Sequence, residues 1–249
     1  MKRMKKGIRN KLLLSMAYGV VIVTYLCLLS IDKSLFFQLT REDGLVEIAG
    51  AGFFFASSLA FLFLYINSIN SHNLFFGKIL KRNVYFVLLA LLFFVCFGEE
   101  ISWGQRIFEL KTPQILQTLN AQEEFNLHNL WLFHAKNPDG SKKSFMALML
   151  NMSRLFSLFW LVFCVLIPVL NYFSAKTKLF LKYVGIPISP MWIGSLFVLN
   201  YIAFHVAIID LDGKITGSLN ELKETNYAAA FFVLSIYFIA KQREKKSNQ

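Results

Sequence analysis

Acidic and histidine side chains collect between alternate apolar stretches of the chain, and their types suit acid/base or metal chemistry. Glu124 and His128 are four residues apart, so a helix would place them on one face. A carboxylate and an imidazole at that spacing can ligate one metal ion or form an acid/base pair. We expect His205 to join them as a third metal ligand, with zinc the favoured ion. A solvated surface helix with ordinary polar content would give the same pattern.

Two adjacent glutamates end the third apolar stretch, in the sequence Gly98-Glu-Glu-Ile-Ser-Trp-Gly-Gln-Arg106. The fifteen residues 84–98 cover only about 22 Å as a helix, against roughly 30 Å of bilayer core. Glu99 and Glu100 would then lie below the outer interface, where ionisable groups usually face a protein interior or a water-filled cavity. We predict that both are catalytic, with Glu100 as base or ligand. The alternative is a stretch that ends early, with both carboxylates in head-group water.

An arginine in the fourth apolar stretch, Arg154, needs an anionic partner at its depth. Glu99 or Glu100 is the natural candidate, and the pair is either structural or holds a substrate anion such as phosphate. We assign Arg154 to the catalytic group as an anion clamp. Glu221 and Glu224 are expected to be first-turn acids of the last span. Other polar side chains are predicted to support the site: Glu47, Gln105, Arg106, Gln122, Asn126, Asn129 and Asp210.

Six long apolar stretches must position these residues. Of the 249 residues, 56% are hydrophobic and 27 are Phe, and the mean hydropathy is +0.51, which is typical of a helical membrane protein. We therefore predict an all-α fold, a polytopic transmembrane helix bundle that forms a single domain over residues 1–249. The predicted spans are about 12–30, 47–69, 84–103, 145–172, 191–209 and 227–240, and an outer loop over 105–144 carries short interfacial helices.

Basic residues set the expected orientation of these spans. Sixteen of the twenty-six Lys and Arg lie at the two termini and in the second-to-third and fourth-to-fifth connections, where Glu244 is the single acid. The positive-inside rule then puts both termini in the cytoplasm and the remaining acids on the outer face. The formal charge of +11 is accordingly an orientation signal, and no nucleic-acid partner is expected. The compact, loop-poor build favours a bacterial inner (plasma) membrane, with bilayer lipid as a partner.

The motif Gly98-Glu-Glu-Ile-Ser-Trp-Gly-Gln-Arg106, followed by Asn126-Leu-His-Asn129, carries a family resemblance. It resembles the pattern of an uncharacterised family of bacterial multi-pass inner-membrane proteins. The resemblance covers most of the chain and implies a multi-pass fold without implying an activity.

Two groups of intramembrane hydrolases offer a mechanistic analogy. The CAAX-processing type carries Glu-Glu-x-x-x-Arg, Phe-x-x-x-His and His-x-x-x-Asn/Asp. In this chain Arg106 lies two residues beyond the Arg position of that pattern, and His128 lies one residue closer to Phe125 than the pattern requires. The acid after His205 also comes one residue late. Ceramidase-like hydrolases place His, Asp and Ser around zinc at one membrane face, and the similarity to them is in residue type alone.

Two hypotheses for function follow from these features. The first is a membrane-embedded, metal-dependent hydrolase or transferase that acts on a lipid or lipid-linked substrate from the outer leaflet, with one carboxylate as general base for a metal-bound water. The second is a non-enzymatic transporter-like or envelope-assembly accessory protein whose polar outer face docks a partner. Ionisable groups occupy only the outer halves of the spans, which argues against a conducting path.

Overall fold

A computed structural model of the chain is mostly helical, which confirms the predicted all-α class. The structure describes residues 18–26, 30–41, 44–69, 73–105, 107–134, 136–209 and 213–247. Two predicted site residues, Arg106 and Asp210, lie outside these ranges.

The helices follow one another with short connections, except across the loop 105–144. Their bounds are α1 (residues 18–26), α2 (Lys33–Thr40), α3 (Leu45–Asn67), α4 (Val84–Glu100), α5 (Gln114–Leu119), α6 (Phe145–Leu148), α7 (Met152–Trp160), α8 (Ile167–Phe173), α9 (Ala175–Val184), α10 (Met191–Ala207) and α11 (Gly213–Ser247). A π-helical segment, Leu161–Leu166, joins α7 to α8. Short 3₁₀ turns cover Ser102–Gly104 and Trp131–Phe133.

A small hairpin interrupts the helical pattern between α3 and α4. Its strands β1 (Asn73–Phe75) and β2 (Lys78–Leu80) pair antiparallel. Phe76 and Gly77 both have positive φ, 47° and 77°, as a type I′ turn requires. The N–H of Gly77 donates to the carbonyl of Tyr183 at 2.9 Å, which joins the hairpin to α9.

In the described part of the chain, two helical stretches are long and apolar enough to cross a membrane by length and composition. They are Lys33–Asn67, which includes α2 and α3, and Met152–Phe173, which includes α7 and α8. They correspond to the predicted spans 47–69 and 145–172, although the second begins late because Asn151 caps α7 by accepting from the N–H of Arg154. Met191–Ala207 is a shorter apolar helix. The six-span bundle therefore stays a prediction.

The last helix extends well beyond the predicted span 227–240, since α11 runs over Gly213–Ser247. Leu219 and Leu222 pack in a buried cluster and hold its first half in the fold. The expectation that Glu221 and Glu224 occupy a first helical turn is thereby corrected: both lie two turns or more into α11.

Aromatic side chains fill the space between α3, α4, α7, α10 and α11. The ring of Phe231 lies 4.7 Å from that of Phe93 and 4.6 Å from that of Phe197. Phe54 and Phe156 belong to this packing and also to the wall of a cavity at one end of the helices. The aromatic core thus fixes the helices that carry the polar residues of that cavity.

A buried polar network joins α1, α10 and α11 through Asn200. Its Oδ1 accepts from Tyr25 Oη at 3.0 Å and from Asn226 Nδ2 at 3.1 Å, while its Nδ2 donates to the carbonyl of Lys223 at 2.8 Å. Buried polar groups that lose their partners are costly, so this side chain fixes the relative positions of the three helices.

We expect Asn200→Ala to lower the free energy of unfolding by about 2–3 kcal/mol, because it leaves buried donors and an acceptor unpaired. Thermal unfolding of the detergent-purified protein measures the change. The matched control is Gln38→Ala on the exposed side of α2, for which a change within about 0.5 kcal/mol is expected. Equal stability of the Asn200 variant and wild type would show that the network does not hold the helices together.

Candidate functional site

The chain reverses direction sharply after α4. Ser102 and Trp103 both have positive φ, 46° and 52°, so the helix ends before the predicted bound of 103. The indole of Trp103 folds back over Gly98, where an added Cβ would lie 2.8 Å from the ring. Only a glycine leaves that space, and the indole Nε1 then donates to the carboxylate of Glu99 at 2.7 Å.

Glu99 is buried, and its carboxylate accepts three hydrogen bonds from described residues. Oε1 accepts from Trp103, and Oε2 accepts from the backbone N–H groups of Leu127 and His128 at 2.6 and 2.8 Å. The same Oε2 lies 3.3 Å from Nδ1 of the His128 ring. Glu99, predicted as catalytic, is therefore a positioning residue that ties the loop 105–144 to α4 and orients an imidazole.

His128 presents its ring at the boundary between protein and cavity. Because a carboxylate only accepts hydrogen bonds, the contact with Glu99 favours the tautomer with its proton on Nδ1. The lone pair then resides on Nε2, the nitrogen that accepts a proton in general-base catalysis. The side chain is 35% exposed and lines the cavity, so a small molecule can reach it.

The segment 120–130 is built from turns, and the predicted helix that would place Glu124 and His128 on one face is not formed. Asn120 accounts for the difference, because its Oδ1 accepts from the N–H of Gln122 at 2.8 Å and stabilises a turn. Glu124 Oε2 accepts from Ser102 Oγ at 2.7 Å and from Asn126 Nδ2 at 2.6 Å. Glu124 and His128 both line the cavity but face different partners.

The predicted supporting residues divide into cavity-lining and bracing groups. Glu47, Gln122, Asn126 and Asn129 line the cavity. Gln105 lies outside it and braces the loop, since its Nε2 donates to Thr112 Oγ1 at 2.6 Å and its Oε1 accepts from the N–H of Phe125 at 2.6 Å.

The cavity has a volume of about 790 Å³ and lies between α3, α4, α7, α11 and the loop 105–144. The apolar part of its lining includes Phe54, Leu92, Val95, Phe156 and Phe159. The polar part of the lining is strongly acidic. Its lining includes six glutamates, and Lys223 is the only Lys or Arg among the described residues there. The glutamates are Glu47, Glu99, Glu100, Glu124, Glu221 and Glu224.

Two predicted site residues lie away from this cavity. Arg154 is exposed on α7 and forms no ion pair with Glu99 or Glu100, so it is not the anion clamp of the site. His205 is exposed on α10, where its Nδ1 lies 2.9 Å from the carbonyl of Tyr201 and its ring packs on the Tyr201 ring at 4.1 Å. It does not join His128.

The predicted zinc ligands therefore do not form one site. Within the described ranges, no group of three or more His, Cys, Asp or Glu side chains is arranged to hold a metal ion. The physical reason is orientation: α10 is apolar on every side, so its sequence does not specify which side of the helix turns inward. With His205 outside, Glu124 and His128 remain as polar residues of the cavity wall.

Residues of α11 complete the site and were not predicted in it. Gly217, Asn220, Glu221, Glu224 and Tyr227 all line the cavity, and their spacing of three and four residues is that of one helical face. This periodicity is visible in the sequence once a helix is extended back to residue 213.

Close packing of α3 on α11 brings their glutamates to the same wall. An added Cβ at Gly50 would lie 3.0 Å from Thr225 Oγ1, and that hydroxyl donates to the carbonyl of Val46 at 2.9 Å. Glu47 of α3 and Glu224 of α11 both line the cavity that Glu100 of α4 also lines.

Two nitrogen bases in the cavity lining, Lys223 and His134, have a lowered pKa. Burial lowers the pKa of Lys223, although Glu224 and Glu221 oppose the effect, and its Nζ donates to Asn220 Oδ1. Burial also lowers the pKa of His134, and the positive charge of Lys143 adds to this. His134, absent from the predicted site, lines the cavity as a neutral imidazole at neutral pH.

Comparisons with known proteins add no relative to this description. No family model, curated protein or solved structure matches the chain.

Proposed function

We propose that the chain is a multi-pass membrane hydrolase in which His128, oriented by Glu99, is the general base. The observation that carries the proposal is the 3.3 Å contact between His128 Nδ1 and Glu99 Oε2 at the wall of a cavity. A carboxylate behind an imidazole fixes its tautomer and orientation and stabilises the imidazolium formed during proton transfer. A positioned base of this kind contributes about 10²–10⁴-fold to a reaction rate.

The proposed reaction is hydrolysis of an ester by a water molecule. His128 Nε2 takes a proton from the water as its oxygen bonds to the electrophilic carbon or phosphorus. The bond from that atom to the leaving oxygen then breaks, and the leaving oxygen takes the proton back from Nε2. Glu99 stays ionised throughout and compensates the charge on the ring. No metal step is included, because the predicted ligands do not converge.

An amphiphilic substrate suits the cavity, because its lining contains both apolar and acidic residues. A volume of about 790 Å³ falls within the usual range of roughly 300–1,000 Å³ for small-molecule sites. Apolar lining residues such as Leu92 and Phe159 accommodate part of an acyl or alkyl chain, and the polar lining residues contact the polar head. A lipid or lipid-linked ester is therefore the proposed substrate class.

Exposed apolar side chains support a location in a bilayer. The helices α3 and α4 are strongly apolar, yet they expose large apolar side chains. Leu59 on α3 is 51% exposed, and Leu91 on α4 is 57% exposed. Ile107, Phe108 and Ile115 of the loop 105–144 are exposed at 70% or more. Exposed apolar surface of this extent favours contact with lipid. We propose six spans with both termini cytoplasmic, so that the cavity opens toward the outer leaflet of an inner membrane.

The test is ester hydrolysis by the detergent-purified protein, with a panel of fluorogenic carboxylic and phosphoric esters of lipid-like alcohols. We expect turnover by wild type and a loss of at least about 10²-fold in His128→Ala. His205→Ala is the matched control, and its rate should equal that of wild type. No turnover of any ester, with His128→Ala changing only stability or partner binding, would overturn the hydrolase and favour the docking hypothesis.

A further inference from the structure

The hairpin β1–β2 and helix α9 form one unit at the end of the helices away from the cavity. The hairpin joins the end of α3 to the start of α4, whereas the glutamates that line the cavity lie at the start of α3 and the end of α4. The N–H of Gly77 donates to the carbonyl of Tyr183 at 2.9 Å. Gly185 ends α9 with a positive φ of 83°, and an added Cβ there would lie only 1.7 Å from the carbonyl oxygen of Leu74. The hairpin and α9 are therefore closely packed, and their exposed side chains form one surface.

Only one side of α9 packs against the rest of the protein. Leu181 and Val184, three residues apart, are buried. Leu179, Phe180 and Tyr183 are instead each more than half exposed. Residues three or four apart lie on the same face of a helix, so these three side chains form an apolar stripe beside the buried side. Large apolar side chains grouped at a surface indicate an interaction site.

The apolar stripe continues onto the hairpin and onto the end of α8. The exposed ring of Phe76 meets the Tyr183 ring edge-on, with centroids 6.5 Å apart. Tyr172 and Phe173 are exposed at the end of the stretch that is long and apolar enough to cross a membrane. Ser174 then separates α9 from α8 with an extended backbone, at φ −122° and ψ 113°. Exposed aromatic side chains where such a stretch ends are typical of the membrane–water interface.

Basic side chains border the apolar stripe. Lys178 and Lys182 are exposed and four residues apart, so both lie on one further face of α9. Lys78 is exposed on β2. The chain has no Asp or Glu in residues 70–98 or 140–209, the two stretches that contain the hairpin and α9. The positive charge of the surface is therefore not balanced by acids of its own segments.

The end of α11 adds positive charge at the same end of the helices. Gln242 Nε2 donates to the carbonyl of Leu64 at 3.3 Å, which places the last turns of α11 beside the end of α3. Those turns contain one acid, Glu244, and four basic residues: Lys241, Arg243, Lys245 and Lys246. An anionic partner with an apolar part complements this combination of charge and apolar stripe.

We propose that α9 and the hairpin form a binding surface for anionic phospholipids of the adjacent leaflet. The apolar stripe inserts among the upper parts of the acyl chains, and Lys178 and Lys182 contact the lipid phosphates. A helix of this kind combines buried apolar area with electrostatic attraction to anionic lipid. Each Lys or Arg near an anionic surface strengthens the attraction about fivefold. Binding of this kind rests on the membrane location in the proposed function and does not depend on the hydrolytic step.

Native mass spectrometry of the detergent-purified protein tests the surface, with dioleoylphosphatidylglycerol and dioleoylphosphatidylcholine added in equal amounts. The two lipids share their acyl chains and differ in the charge of the head group. We expect wild type to retain the anionic lipid at least about tenfold more than the zwitterionic one. The double variant Lys178→Gln, Lys182→Gln should lower that preference at least about fivefold. The matched control, Lys136→Gln with Lys142→Gln, removes the same charge from exposed residues of the loop 105–144 and should keep the preference of wild type.

Fluorescence in nanodiscs locates the apolar stripe relative to the lipid. Phe180→Trp adds a tryptophan to the stripe, and brominated acyl chains should quench at least about half of the emission that it adds to wild type. Ser141→Trp, in an exposed turn of the loop 105–144, is the matched control, and its added emission should be quenched less.

The outcomes separate the lipid surface from the proposed hydrolase. Equal retention of the two lipids by wild type, or an unchanged preference in the Lys178 and Lys182 double variant, would overturn the lipid surface. Unquenched emission from Phe180→Trp would also overturn it and leave a protein partner as the occupant of the stripe. The double variant should hydrolyse esters in detergent at the rate of wild type, because the surface lies away from the cavity. The expected lipid preference without turnover of any ester would overturn the hydrolase alone.

Discussion

Glu99→Gln is expected to lower the rate of ester hydrolysis by about 10²–10⁴-fold. The amide has the size of the native side chain but not the charge that stabilises a protonated His128. It also disturbs the anchor of the loop, because Oε2 accepts from the backbone N–H groups of Leu127 and His128. An amide nitrogen at the position of Oε2 would direct its own N–H donors toward these two N–H donors, so neither hydrogen bond could form. The imidazole would then lose both its electrostatic partner and its fixed orientation.

Steady-state kinetics separate this positioning role from a loss of fold. We expect kcat to fall while KM stays within about threefold of wild type, since the proposed role of Glu99 is to orient the base and not to bind substrate. Glu99→Asp should recover part of kcat, because it restores the charge with a shorter reach. Circular dichroism of each variant reports whether the helices persist. Unchanged kcat in a folded Glu99→Gln protein would show that the carboxylate does not orient the base.

Asn120→Ala is expected to lower kcat/KM by at least about 10²-fold through the loop, although Asn120 is not in the cavity wall. Its Nδ2 donates to the carbonyl and side-chain oxygens of Asn126 at 2.8 and 2.9 Å, and its Oδ1 accepts from the N–H groups of Gln122 and Glu124. The residue is 2% exposed, so its side-chain amide is shielded from water. Without them the turn that carries His128 has no fixed geometry.

Hydrogen exchange measured by mass spectrometry locates the effect of this substitution. We expect faster exchange in residues 120–130 and unchanged protection in α3, α4 and α11. The matched control is Asn137→Ala in an exposed turn, where Nδ2 donates to Ser141 Oγ at 2.9 Å. Loss of protection throughout the helices would mean that Asn120 supports the whole fold, and unchanged activity would mean that the loop does not position the base.

The sequence predicted the type of fold and one wall of the site. Apolar composition was sufficient to predict the helical class. The polar residues at the end of α4 and in the loop after it led to the prediction that Glu99, Glu100 and His128 lie close together. Glu100 and His128 line the cavity together. Their roles were not predictable, because the reversal at Ser102 and Trp103 depends on backbone angles that few sequences specify.

Rotation of the apolar helix α10 accounts for the wrong placement of His205. Arg154 and His205 were expected inside, yet both are exposed. An apolar helix without a distinct polar stripe gives no signal for its inward side. The cavity-lining residues of α11 from Gly217 to Tyr227 do recur at helical spacing. This periodicity was missed because the predicted helix began only at residue 227. Extending that helix to include the polar residues would have identified Glu221 and Glu224.

The measurement that tests the central claim most directly is a double-mutant cycle of ester hydrolysis with Glu99→Gln, His128→Ala and the double variant. If the two side chains act as one catalytic unit, the double variant should retain the rate of His128→Ala within about threefold, because the carboxylate has no imidazole left to orient. Losses that multiply, so that the double variant falls a further 10²-fold or more, would show that Glu99 and His128 act independently and would contradict the account.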